Sequence, residues 1–254
     1  MNRWYMMVSA VGVAYTVQIN GITIFSDRWE KSHSDSAPIN QWLVNGKNRV
    51  DVNVGVGLSK SKQEEKQSIS VEIREIDLES GNKEGRLVTS LLWNKEPDKE
   101  FPISITRDFK GPDNFPKWEW EGSDVINSEK PNFTGLDAFL ASAHVQLSNK
   151  NLPAIVKLVE EKTNEMALAY GVPIDTRLAD QKEFFSNYFA DPLWKMKPLN
   201  PKSKFVRVEG DGRLLVVTNS AGIPYLETEE FEDGSKFGLK LYLRHKNGVW
   251  HIAR

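Results

Sequence analysis

The chain has no cysteine among its 254 residues, which excludes thiol catalysis, disulfide frameworks, iron–sulfur clusters and any zinc site that needs sulfur. Cysteine-free chains suit an oxidising or a reducing compartment equally; a cytoplasmic location is expected, with the periplasm also compatible. Charge of one sign is lacking too. Lys and Arg number 33 against 35 Asp and Glu, a formal net charge of −2, so no global positive field draws the chain to nucleic acid or an anionic membrane. Long apolar runs are absent: Trp4 to Tyr15 is the most apolar stretch, far short of the ~20 residues of a membrane span. With only Arg3 as a positive flank, that stretch is expected to be a strand and not a signal peptide. The four histidines are scattered, with no i, i+4 pair, and no metal or cofactor is expected. Gly-x-Ser-x-Gly, a phosphate loop and Gly-x-Gly-x-x-Gly are all missing, so the chain is expected not to be an enzyme.

What is present argues for two domains. Hydrophobic residues make up 39% and aromatics 10%, with 8 Trp, enough for real cores at a length above the common one-domain size. The first half alternates with period two. Val17 and Ile19, then Asn20-Gly21, then Ile22 and Ile24 predict a hairpin on a type I′ turn. Trp42-Leu43-Val44, Asn45-Gly46 and the run Val50, Val52, Val54, Val56 predict a second strand–turn–strand unit. Ile69 to Ile76, Leu87 to Trp93 and Phe101 to Ile105 continue the pattern, which together predicts an antiparallel β-sandwich over 1–125.

From Asn94 to Gly135 five of the 12 prolines fall (Pro97, Pro102, Pro112, Pro116 and Pro131), and each removes a backbone donor. The stretch predicts an irregular connector, with 126–132 as the linker. Within it Trp118 and Trp120 would share one face of an extended segment, with Glu119 and Glu121 on the other. Such a pair covers a seam, or stacks on a sugar or a partner.

The second half, 133–254, opens with helical spacing. Leu136, Phe139, Leu140, Ala143, His144 and Leu147 form one stripe, capped by Thr134 or Asp137. Asn151 and Pro153 start a second helix that runs to Gly171, with Ile155, Val159, Met166 and Leu168 buried. A third covers Ala179 to Phe189. Strands follow at 205–209, 214–218, 237–243 and 249–252, with turn signals at Asp211-Gly212 and Asn247-Gly248. Sandwich, then helices, then an antiparallel sheet is an α+β order.

Two family resemblances rest on these residues. Val17-Gln-Ile-Asn-Gly-Ile-Thr-Ile-Phe with Trp42-Leu43 and Gly46-Lys-Asn-Arg-Val50 resembles the jelly rolls of the galactose-binding-like class, over about a third of the chain. It implies a fold, not a sugar. Ala138-Phe-Leu-Ala-Ser-Ala-His-Val-Gln-Leu, Asn151-Leu-Pro-Ala-Ile-Val and the ending Leu241 to Ile252 with Gly248-x-Trp250-x-Ile252 resemble the nuclear-transport-factor-like (cystatin-like) α+β fold. That fold implies a curled sheet around a cone, which hosts isomerases, dehydratases, binders and structural dimers alike. A homodimer is therefore compatible.

Members that do acid–base chemistry place an Asp, His or Tyr in the cone. Here the available groups are His144, Tyr170, Asp175, Tyr188 and Tyr242, with no recognisable pairing. The other charged feature is Glu227, Glu229, Glu230, Glu232 and Asp233 around Phe231, following Tyr225. An acidic loop with an exposed aromatic centre suits a basic protein partner. The expected function is a non-catalytic protein-interaction module using this segment and Trp118 and Trp120. By type it resembles bacterial immunity proteins, which would make the partner a basic toxin. A small-molecule enzyme or ligand binder using the second domain's cavity, and a carbohydrate binder, are the alternatives.

Overall fold

A computed structural model describes residues 2–28, 32–56, 67–79, 84–96, 100–127 and 129–254. Pro97 of the expected connector lies outside the described residues. The chain divides into two compact units, Met1–Lys117 and Trp118–Arg254.

The first unit is two four-stranded antiparallel sheets. One has the order β4-β1-β6-β7, built from β1 (Arg3–Val11), β4 (His33–Pro38), β6 (Ser68–Ile76) and β7 (Arg86–Asn94). The other has the order β3-β2-β5-β8, from β2 (Ala14–Ile19), β3 (Ile22–Asp27), β5 (Lys47–Gly55) and β8 (Ile103–Lys110). Period-two alternation gives each sheet one apolar face: Trp4, Met6, Val8, Ile69, Val71 and Ile73 from the first; Val17, Ile19, Val50, Val52 and Val54 from the second. Trp4 on β1 meets Phe109 on β8 with ring centroids 6.4 Å apart, so the buried faces oppose one another. Asn20 and Gly21 both take positive φ, 51° and 74°, as a type I′ turn requires.

Trp42–Val44 is not a strand. Asn40–Trp42 is a 3₁₀ turn, and β5 begins only at Lys47. The buried Asn48 side chain accepts from the Val44 amide at 2.8 Å and donates to the Val44 carbonyl at 2.8 Å, which curls the chain where strand pairing would have held it straight. The apolar stretch at Trp4–Tyr15 forms β1 and the start of β2.

The second unit carries four helices: α1 (Leu136–Ser148), α2 (Leu152–Leu158), α3 (Glu160–Tyr170) and α4 (Ile174–Ala190). An antiparallel sheet of order β14-β13-β10-β9 follows, from β9 (Lys204–Glu209), β10 (Leu214–Asn219), β13 (Leu241–Lys246) and β14 (Val249–Ile252), plus a short pair β11 (Leu226–Glu227) and β12 (Gly238–Leu239). The core joins Leu136, Leu140 and Leu147 of α1 with Ile155, Phe185 and Phe189 and with the sheet residues Leu215, Val217, Leu241, Leu243, Trp250 and Ile252. Strands, then helices, then a sheet make the chain α+β.

Three local expectations change. Gly135, not Thr134 or Asp137, stands at the N-cap of α1. The helix expected from Asn151 to Gly171 breaks at Val159, with φ −100° and ψ 4°, so α3 starts in a new phase. Its buried residues are Thr163, Glu165, Ala167 and Ala169, while Leu168 faces out. Finally, residues 118–126 belong to the second unit and not to the sandwich or a linker. The Asp124 amide donates to His245 O at 2.9 Å, the Ile126 amide to Gly212 O at 2.8 Å, and Arg213 donates to Ser123 O at 2.7 Å. Gly212, at φ +88°, lies under this segment; a Cβ there would sit 2.9 Å from Val125 Cγ1.

Candidate functional site: an acidic groove beside the end of α4

The loop between β11 and β12 is a tightly bonded excursion. Leu226 and Leu239 pair and bury. The Thr228 amide donates to Phe237 O at 3.0 Å, and the Phe237 amide donates to Thr228 Oγ1 at 3.0 Å. Further out, Phe231 N donates to Ser235 O at 2.9 Å and Gly234 N to Phe231 O at 3.0 Å, which closes the tip. The chain before β9 runs alongside, with Glu229 N donating to Lys195 O at 2.8 Å and Lys197 N to Glu227 O at 2.9 Å. The acidic residues thus ride on a braced loop.

Their charges are partly matched. Glu227 pairs with Lys197 at 2.9 Å and Glu230 with Lys236 at 2.9 Å. Lys197 comes in from a distant part of the chain, so the five acidic residues of the segment do not stand as five free charges. The Glu230 carboxyl is held below its usual range by its hydrogen bond to Lys236, and that of Asp233 by its hydrogen bonds from Ser235. Glu229, Glu232 and Asp233 make no ion pair among the described residues.

Phe231 is half-buried and not an exposed centre. Its ring packs 6.0 Å from Tyr188 of α4. Tyr188 in turn touches Phe184 at 4.9 Å and Phe237 at 5.2 Å, and Phe237 touches Trp194 at 5.0 Å. Between this aromatic wall and the loop tip lies a groove of about 500 Å³, formed by Tyr188, Pro192, Leu193 and Phe231 with Asp191, Glu232 and Asp233 on its rim. Sequence reading missed Tyr188 as a groove wall, and Asp191 and Leu193 altogether. The available signal was the excess of aromatics at Phe184, Phe185, Tyr188 and Phe189, more than one buried stripe of α4 needs; Phe184 remains 45% exposed.

The other expected site residues lie elsewhere. Tyr225 packs half-buried against the core, where burial first and Asp137 second raise its pKa. Trp118 and Trp120 are 1% and 4% exposed. They do not lie in an extended segment: Glu119–Gly122 is a 3₁₀ turn, fixed by the Glu121 carboxylate accepting from Trp118 N at 2.7 Å. The turn rotates the rings out of register. Trp118 instead lies against the Arg254 guanidinium, 5.3 Å from its centroid. Neither indole offers a face to a sugar or a partner.

The acid–base candidates do not converge. His144 Nε2 bonds to Lys197 O at 2.8 Å, Asp175 is exposed on the first turn of α4, and the Tyr242 phenol is pushed up to about 12 by burial and then by Glu209. Among the described residues no three His, Asp or Glu gather as a metal set, and no helix is long and apolar enough to cross a membrane. No protein-family model, curated protein or solved structure matches the chain.

Proposed function

We propose that the protein is a non-catalytic interaction module that binds a basic protein partner in the groove between the end of α4 and the 228–237 loop. The single observation behind this reading is the pairing, in one concave site, of an aromatic wall at Tyr188 and Phe231 with the unmatched carboxylates Glu232 and Asp233. A Lys or Arg side chain suits both parts. Its aliphatic stem lies on the rings while its charged head meets the rim. In the toxin-immunity reading, that side chain belongs to a cationic toxin.

The test starts from a partner captured from the source organism and purified, with binding kinetics on two variants. Replacing Glu229, Glu232 and Asp233 by Lys slows association and flattens its salt dependence, because exposed charges act mainly on encounter over a Debye length of about 8 Å. Phe231→Ala speeds dissociation, in line with the roughly 1.5–3 kcal/mol of a buried Phe. Unchanged kinetics in both variants would overturn the reading.

A further inference from the structure

Six strands end the three four-stranded sheets, and five of them carry a device against further pairing. β4 is polar and runs out at Pro38, β3 and β7 have irregular registers against β2 and β6, and β8 carries the exposed Arg107, Asp108 and Lys110. β14 is covered, with Trp250 and Ile252 only 5% and 1% exposed. β9 is the exception. Its register with β10 is unbroken over its 6 residues, and Phe205 stands 52% exposed. Its lysine does not guard the edge, because the Lys204 ammonium is drawn aside to Asp137 of α1.

The register decides which backbone groups of β9 face outward. Tyr242 turns its own to the β14 side, where its amide donates to Arg254 O at 3.1 Å and its carbonyl accepts from Ala253 N at 2.7 Å. Alternation along β13 then turns Leu241 and Leu243 to β10, where they oppose Val217 and Leu215. Leu214, Val216 and Thr218 therefore face β9, opposite Glu209, Arg207 and Phe205. The N–H and C=O groups of Lys204, Val206 and Val208 are left for the open edge. All three residues are half-buried, and their outward amides and carbonyls have no partner among the described residues.

We propose that β9 is the docking edge for a second copy of this chain, pairing antiparallel with its own equivalent about a two-fold axis at Val206. Such an axis stands perpendicular to the joined sheet and keeps each residue on its own face, so the register must centre on a residue. Centred on Val206, Val206 opposes the partner's Val206 and Lys204 opposes the partner's Val208. Every outward group then has a mate, at two bonds per pair and about six in all. Val206 and Val208 pack on the core, so Phe205 and Arg207 share the other face. There Phe205 meets the partner's Arg207, twice by symmetry, ring against cation. Centred on Phe205, the Val208 groups would meet the 3₁₀ turn Pro201–Ser203 and stay unmatched. Centred on Arg207, two guanidinium groups would oppose one another. The edge is complementary to itself in one register.

The test is sedimentation velocity on the full chain from about 1 to 100 μM, where a concentration-dependent dimer is expected. Phe205→Lys sets an ammonium against the partner's Arg207 at two places and weakens the dimer by about tenfold or more. Because that ring is exposed in the single copy, the variant's own fold should be unaffected. Val206→Cys supplies the lone cysteine of the chain. Mild oxidation should cross-link two copies through it, since directly opposed Cα atoms lie about 5.5 Å apart, within disulfide reach. The proposal fails if the chain stays monomeric over this range, if Phe205→Lys dimerises as tightly as the parent, or if Val206→Cys does not cross-link. Should one variant misfold, the other decides together with the unaltered chain.

Discussion

The two units bury polar groups of opposite kinds. In the sandwich they are neutral amides. Asn48 accepts from Val44 N and from Asn20 Nδ2 and donates to Val44 O and Gly46 O. Asn40 joins Trp4 N, at 2.7 Å, to Asn2 O, and Gln67 donates to Gly12 O at 2.8 Å. In the second unit they are, beside the hydroxyls of Ser123, Thr163 and Thr228, charged pairs that join different elements: Glu165 with Arg254 and Glu161 with Arg244. An amide carries donor and acceptor together, so it can satisfy a curled backbone without importing charge. A carboxylate accepts only, and once buried it needs a cation from another element. The difference follows from what each unit must hold: loops at the ends of sheets in one, a helix against a sheet in the other.

The largest expected effect tests the division itself. A fragment beginning at Trp118 melts cooperatively, whereas one beginning at Phe133 loses Trp118, Trp120 and Ile126 and does not fold, since removing a buried Trp alone costs about 3–5 kcal/mol. Calorimetry on the two fragments checks this. Next comes the charged kind of burial: Glu165→Ala strands Arg254 and lowers stability by about 3–5 kcal/mol. Hydrogen exchange should rise in α3 and β13 while the sandwich amides stay protected. Asn48→Ala is the converse, costing about 2–3 kcal/mol through the Val44 groups it leaves unmatched, with exchange rising around β5 alone. Gly111→Ala costs about 1–2 kcal/mol, because the added Cβ would sit 2.2 Å from Asn48 Nδ2; chemical denaturation resolves it.

The smallest effect separates the units by pH. Lys162 has a folded pKa of about 8 against an ordinary 10.5, so between these values the unfolded chain binds more protons and stability rises with pH. Tyr242 and Tyr15 are both raised from 10.0 to about 12, so above pH 10 both units lose stability as the unfolded phenols ionise. Thermal melting across pH 7–10 should show the second unit gaining stability while the sandwich does not. In Lys162→Met that gain disappears.

Much of the architecture was legible because it is periodic. Alternation at Val50–Val54 and Ile69–Ile73, the Asn20-Gly21 and Asn247-Gly248 turns, and the Asn151 cap, which accepts from Ala154 N at 3.3 Å, are local properties of the chain. Strand β4, whose His33–Pro38 sequence is polar and exposed, gave no such signal: its place comes from pairing with β1. The acidic loop was legible as composition, but its neutralisation was not, because Lys197 lies 30 residues from Glu227.

The sequence by itself determined the α+β order, the alternating faces of the sheets, the turn positions and the absence of thiol chemistry. These depend on neighbours one to four residues apart, where backbone sterics and side-chain spacing act. Only the tertiary structure decided that Trp118 and Trp120 are core, that Phe231 leans on Tyr188, and that Glu165 meets Arg254. Burial and charge balance are sums over side chains brought together from distant parts of the chain, and no local pattern carries that sum.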